Sequence, residues 1–220
     1  MNEAPASGAP GLDALVRELT TVLGPGSKRD LAGRGKRVVE LLRAYAERGE
    51  CWRGWTHFIP ERYSRNLVHR CDGFELLLLC WGVGHASPIH DHAGQQCFMA
   101  ILDGEFEEVH YDEPRDAASA PMASGRVRRF TAGGVAYIHD DIALHLIRPV
   151  PGTRGVTLHL YADAIDTCRV FDPASGHATP VEVGYHSVRG VPCAGRPAAD
   201  IRREWQAERR TGGVATHGGS

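Results

Sequence analysis

The chain has almost no lysine. Of its 25 basic residues only Lys28 and Lys36 are lysines, and arginine supplies the rest. Asp and Glu number 27, for a net charge of -2. That balance leaves no basic face for a phosphate backbone and excludes nucleic acid as the main partner. No stretch reaches the roughly 18 apolar residues of a membrane span, so no membrane partner is expected. Met1 to Pro10 holds neither a basic run nor an apolar run. A secretory leader is therefore not expected, and the cytoplasm is the expected location. None of the six cysteines forms a C-x-x-C pair, which argues against a zinc ribbon or a thioredoxin-type centre. In a reducing compartment they read mostly as buried free thiols. No repeat of solenoid or propeller period occurs.

What is present fits one globular domain: 220 residues, 42% hydrophobic and 24% charged. Residues 1–10 are rich in Ala, Pro, Gly and Ser and are expected to be disordered. Leu12, Leu15, Leu19 and Leu23 recur at helical spacing until Gly24-Pro25-Gly26. A second helix is expected from Asp30 to Glu47 on Val38, Leu41, Leu42 and Tyr45. These make residues 11–50 a helical N-terminal segment packed on a β-rich body. From 51 to 190 short apolar runs alternate with Gly, Pro and Asp: 74–81, 96–102, 106–111, 135–138, 144–148, 156–161 and 181–185. Strands of that length predict a β-sandwich or barrel. Asp103-Gly104 reads as a hairpin turn, and 112–126 as a polar surface loop. Residues 191–220 are expected to be a C-terminal extension, with one short charged helix (Asp200 to Arg210) and a loose tail.

Of twelve histidines, His57, His69, His85, His110, His139, His177, His186 and His217 read as ordinary surface or hydrogen-bonded residues. His90 and His92 differ. They form H-x-H after Pro88, and side chains at i and i+2 share a strand face. Two imidazoles so placed can grip one metal ion, while Asp91 points the other way.

The spacing Gly84-x5-His90-x-His92-x4-Cys97-x6-Gly104 resembles the first motif of the cupin superfamily, with Cys97 where the usual glutamate stands. The second motif overlays 134–149, where Gly134 and His145 survive and Asp140, Ile142 and Pro149 replace Pro, Gly and Asn. The resemblance implies a mainly β fold, a cupin double-stranded β-barrel (jelly roll), with His90, His92 and His145 as metal ligands. Three neutral imidazoles leave the full charge of a divalent ion uncompensated, which favours an anionic ligand such as a thiolate. The residues alone suit zinc, nickel or manganese as well as iron.

Thr157, His159 and Tyr161 alternate on one expected strand and share a face, so the imidazole can reach the phenol on one side and the hydroxyl on the other. Ser87-Pro-Ile-His-Asp-His92, Cys97, Leu144-His145, Leu158-His-Leu-Tyr161, Asp166-Thr-Cys168, Tyr63-Ser-Arg65-Asn66-Leu67 and Leu79-Cys-Trp-Gly82 together resemble the cysteine dioxygenases. The match runs from Trp55 to His186. The family implies Fe(2+) on the three histidines, with L-cysteine and O2 as substrates and cysteine sulfinic acid as product. It implies Arg65 as partner of the substrate carboxylate, Tyr63 and Cys168 as pocket lining, and Tyr161 as the hydroxyl facing substrate, oriented by His159 and Thr157. It also implies a Cys97–Tyr161 thioether. Dioxygenation of 3-mercaptopropionate or cysteamine, and a non-catalytic metal-binding cupin, are the alternatives. A monomer is the default expectation.

Overall fold

The computed structural model describes residues 10–24, 33–48, 52–114 and 120–211, with side chains of the last helix followed to Ala207. Residues 1–9 and the tail beyond Thr211, both expected to be loose, lie outside that set. Two helices, α1 (Pro10–Leu23) and α2 (Arg34–Arg48), come first. Thirteen strands succeed them: β1 (Ser64–Arg70), β2 (Glu75–Trp81), β3 (Ile89–His90), β4 (Cys97–Asp103), β5 (Glu105–Tyr111), β6 (Ser124–Thr131) and β7 (Val135–Ile138). The rest are β8 (Leu144–Pro149), β9 (Gly155–Tyr161), β10 (Thr167–Phe171), β11 (Ala178–Glu182), β12 (Gly184–Val188) and β13 (Val191–Pro197), before helix α3 (Ala198–Thr211).

The strands form two sheets. One is seven-stranded in the order β13-β12-β1-β2-β9-β4-β7, and the other six-stranded in the order β11-β10-β3-β8-β5-β6. This is the mainly β double-stranded barrel expected. The run Leu76 to Trp81 is apolar throughout because β2 is covered on both faces. Leu76, Leu78 and Cys80 meet Leu12, Leu19, Leu23 and Leu42 of the two helices. Leu77, Leu79 and Trp81 face the barrel interior with Phe106 and Tyr161. The leucine stripe of α1 is thus a lid on the outer face of the larger sheet.

Several expectations need correction. Asp103-Gly104 is not a hairpin: β4 and β5 lie in different sheets and do not pair. Gly104 instead turns the chain from one sheet to the other at φ +85°, where a Cβ would stand 2.6 Å from the Arg154 carbonyl oxygen. The single strand expected at 181–185 is two, β11 and β12, again in different sheets. The polar loop gives way at Ser124 to β6, whose side chains are mostly exposed and so carry little apolar signal. Val191–Pro197, read as loop within the C-terminal extension, is an edge strand. Its prolines and glycine hide it in the sequence, but an edge tolerates missing donors.

Candidate metal centre

The smaller sheet brings the metal-binding candidates together. His90 on β3 is the register partner of His145 on β8. His92 lies just past the two-residue β3, in a turn rather than on the expected strand, yet on the same side as His90. One ring nitrogen from each of His90, His92 and His145 lies within 4.8 Å of the others. Among the described residues no carboxylate or thiol joins this cluster. Asp91 turns away and binds the Arg169 side chain.

Each ring is held from behind through Nδ1. His90 Nδ1 is 3.0 Å from the Pro88 carbonyl. His92 Nδ1 is 3.2 Å from Asp140 Oδ1, and His145 Nδ1 is 3.0 Å from Glu108 Oε1. Such acceptors fix the tautomer and turn Nε2 toward the centre. Asp140 also accepts the His92 amide at 2.7 Å and the Gly94 amide at 2.6 Å. Burial works to raise its pKa, but the His92 ring and these two amides outweigh it and hold the carboxyl at about 2. Burial, and then the neighbouring His92, lower the His90 pKa to about 4. Burial likewise carries His145 well below the ordinary value. These two rings are therefore neutral donors at neutral pH. His92 Nε2 is buried with no hydrogen-bond partner among the described residues. An unpaired buried nitrogen costs about 1–3 kcal/mol, and a cation among the three rings removes that deficit. The donor set fits a divalent transition metal.

A cavity of about 520 Å³ opens beside these rings, lined by Arg65, Tyr63, His159, Tyr161 and Cys168 among others. Arg65 comes from β1; its Nε donates to the Gly184 carbonyl at 3.2 Å, and its backbone amide to His186 Nδ1 at 3.0 Å. Its Nη2 is buried without a partner among the described residues. That is an unused guanidinium edge next to a metal-binding cluster. Tyr63 stacks on Trp81 with ring centroids 4.4 Å apart. Cys168 flanks the cavity, its thiol pKa pushed up to about 11 by burial.

On β9, Thr157 Oγ1 accepts Trp81 Nε1–H at 2.9 Å and lies 2.9 Å from His159 Nε2. Thr157 thus holds the imidazole as expected. The other side of His159 faces Cys97, with Sγ 4.0 Å from Nδ1. The thiol, and not the expected phenol, is the neighbour on that side; the His159 and Tyr161 ring centroids are 6.1 Å apart. Cys97 and Tyr161 are direct partners across β4 and β9, and both are buried. Burial drives both pKa values above their ordinary range, so thiol and phenol keep their protons.

Sequence reading missed Asp140, Glu108 and Trp81 as partners of the site. Glu108 carried a faint signal: an acid between Phe106 and His110 at the alternation of an inward strand face. Asp140 carried none beyond standing where the second motif expects proline. Of the remaining described histidines, His57, His85 and His139 make hydrogen bonds to backbone groups. His217 lies outside the described residues.

Barrel and three-histidine cluster together define a metal-binding cupin. The particular family is settled by comparison with known proteins. The family model for cysteine dioxygenase type I matches residues 25–174. Cysteine dioxygenase type 1 of Rattus norvegicus is 40% identical over 156 residues, spanning 70% of this chain and 78% of that protein. The Bos taurus enzyme of the same name is 37% identical over 187 residues, 79% of this chain and 93% of that one. This chain belongs to the cysteine dioxygenase type I family. Among solved structures, a Klebsiella pneumoniae protein with a double-stranded β-helix domain overlays with TM-score 0.41 at 15% identity, covering 58% of this chain and 91% of that one.

Proposed function

We propose that the chain is an iron(II) dioxygenase that places both atoms of O2 on the thiol sulfur of L-cysteine, giving cysteine sulfinic acid. One observation carries the reading. A three-imidazole centre with no carboxylate in its donor set shares a cavity with a buried guanidinium whose Nη2 has no partner among the described residues. The first leaves a divalent ion short of negative charge, and the second awaits an anion of its own. Cysteine offers a thiolate and a carboxylate on neighbouring carbons. Iron(II) held by His90, His92 and His145 would supply open positions and the redox chemistry that O2 requires.

The chain's own residues then bind and orient. Arg65 receives the carboxylate through Nη2, and a charge-assisted bond in a buried cavity fixes which way the sulfur points. Tyr63 and Trp81 stack on that wall, and Cys168 lines the cavity. Tyr161 keeps its proton and can donate a hydrogen bond to an oxygen arriving at sulfur. His159, held by Thr157, fills the space behind Cys97. Cys97 and Tyr161, register partners across β4 and β9, form a thioether: the S–H and a ring C–H are lost, a C–S bond forms, and O2 takes the two electrons and two protons. The product is 2 Da lighter, visible by intact mass and absent from Cys97→Ser.

The five described cysteines are free, which suits the reducing cytoplasm, and the enzyme is assigned there as a monomer. No described helix is long and apolar enough to cross a membrane. The test is anaerobic loading with Fe(II), followed by O2 uptake with cysteine, cysteamine and 3-mercaptopropionate. Uptake and sulfinate formation are expected to be greatest with cysteine. Arg65→Ala should raise KM for cysteine by about tenfold or more. Unchanged cysteine kinetics in that variant, or no uptake with cysteine, overturns the proposal.

A further inference from the structure

Glu75 is a fully buried carboxylate on the interior face of the larger sheet. It is the register partner of Tyr161, as Cys97 is on the other side of β9. Its Oε1 accepts the hydroxyl proton of Tyr185. The same hydroxyl accepts from Arg70 Nη1 at 2.7 Å, and Arg70 Nη1 stands 3.6 Å from Glu75 Oε1. A phenol has one proton. Because Arg70 can only donate, that proton is directed to Glu75 Oε1, and the Arg70 guanidinium beside the same oxygen favours the ionised carboxylate. Arg70 also pairs with Asp166 at 2.7 Å, an anion it shares with Arg202. The Tyr185 ring in turn lies 6.0 Å from the Arg65 guanidinium carbon. Burial raises the Glu75 pKa above its ordinary value, and Arg65 is the strongest group opposing that effect, ahead of Arg70. Glu75 therefore stands between two guanidinium groups: Arg70 at 3.6 Å, and Arg65, whose guanidinium carbon lies 5.8 Å from the ring of Tyr161, the register partner of Glu75.

We infer that Glu75 is a specificity-determining residue whose negative charge weakens the grip of Arg65 on anions, so that cysteine is held while its more anionic sulfinate product is released. The inference rests on the thiol-dioxygenase reading above. Its physical content is a sign. In a low-dielectric cavity an anion behind a guanidinium repels a carboxylate in front of it. A merely structural Glu75 would make every ligand bind worse when replaced. A charge-setting Glu75 makes carboxylate-bearing ligands bind better.

The experiment compares wild type, Glu75→Gln and Glu75→Asp, each loaded with Fe(II). Steady-state kinetics are run on cysteine, 3-mercaptopropionate and cysteamine, with cysteine sulfinate as inhibitor. Affinities of the same thiols are measured under anaerobic conditions, where no turnover is needed. Glu75→Gln keeps an acceptor for Tyr185 but removes the charge. Its KM and Kd for the two carboxylated thiols should fall on the order of fivefold to tenfold, a modest Coulomb effect over a few ångströms. Cysteamine, which lacks a carboxylate, should move less than about twofold, and inhibition by the sulfinate should tighten by more than cysteine binding does. Glu75→Asp keeps the charge and should stay near wild type in these ratios. Equal shifts for all three thiols, or weaker binding of the carboxylated pair in Glu75→Gln, overturns the inference. Absence of O2 uptake in every enzyme instead refutes the parent reading, while the anaerobic affinities still decide the role of Glu75.

Discussion

Replacing Asp140 with asparagine tests the idea that the metal centre is built from behind its ligands. The Asp140 carboxylate accepts three N–H groups: the His92 ring and the amides of His92 and Gly94. Their combined pull keeps its pKa at about 2 against an ordinary 3.8. At about 1.4 kcal/mol per pKa unit this corresponds to at most about 2.5 kcal/mol. The side chain is 20% exposed, and screening reduces the figure to about 1–2 kcal/mol. Asparagine offers one oxygen to donors that now occupy two, and its NH2 faces an N–H. His92 then loses the acceptor that orients its ring, with a tenfold to hundredfold loss expected in metal affinity. The assay is anaerobic Fe(II) titration against a competing chelator, with thermal melts of the metal-free forms run beside it. The expected result is weaker iron binding together with a metal-free stability loss of about 1–2 kcal/mol. Iron affinity equal to wild type would refute the argument that Asp140 orients His92.

Other outcomes come from the same geometry. Tyr161→Phe should lower kcat by about tenfold or more while iron content stays at wild-type level, because Tyr161 lines the cavity and the three imidazoles already supply the donor set; loss of iron instead would assign Tyr161 to the ligand set. The metal-free protein should weaken on acidification. His90 titrates near 4 when folded against about 6.5 when unfolded, so the unfolded chain takes up the proton first. The stability it contributes is full above about 6.5 and is lost as pH falls through about 4. Urea midpoints at several pH values check this, and a flat profile contradicts it. Leu158→Ala should destabilise by about 2–5 kcal/mol in urea unfolding, since Leu158 is fully buried between the larger sheet and the helices; its side chain faces away from Thr157 and His159, so iron stoichiometry should be retained.

Local residue order was enough for the donors and much of the scaffold. His90 and His92 meet because they are two residues apart, and Thr157, His159 and Tyr161 line one face because alternation along a strand is local geometry. Leucines at helical spacing sufficed to place α1, unbroken apolar runs sufficed for β2 and β4, and apolar–polar alternation for β9. The groups that stand behind those donors were set by the folded chain. Glu108 reaches His145 across 37 residues, Asp140 reaches His92 across 48, and Tyr185 reaches Glu75 across 110. A hydrogen-bond acceptor can come from any strand that folds alongside, so no spacing rule announces it. The same holds for the turn at Gly104. Asp-Gly specifies that the chain reverses, but whether the next strand pairs with the last or crosses to the opposite sheet depends on which edge is free when the barrel closes.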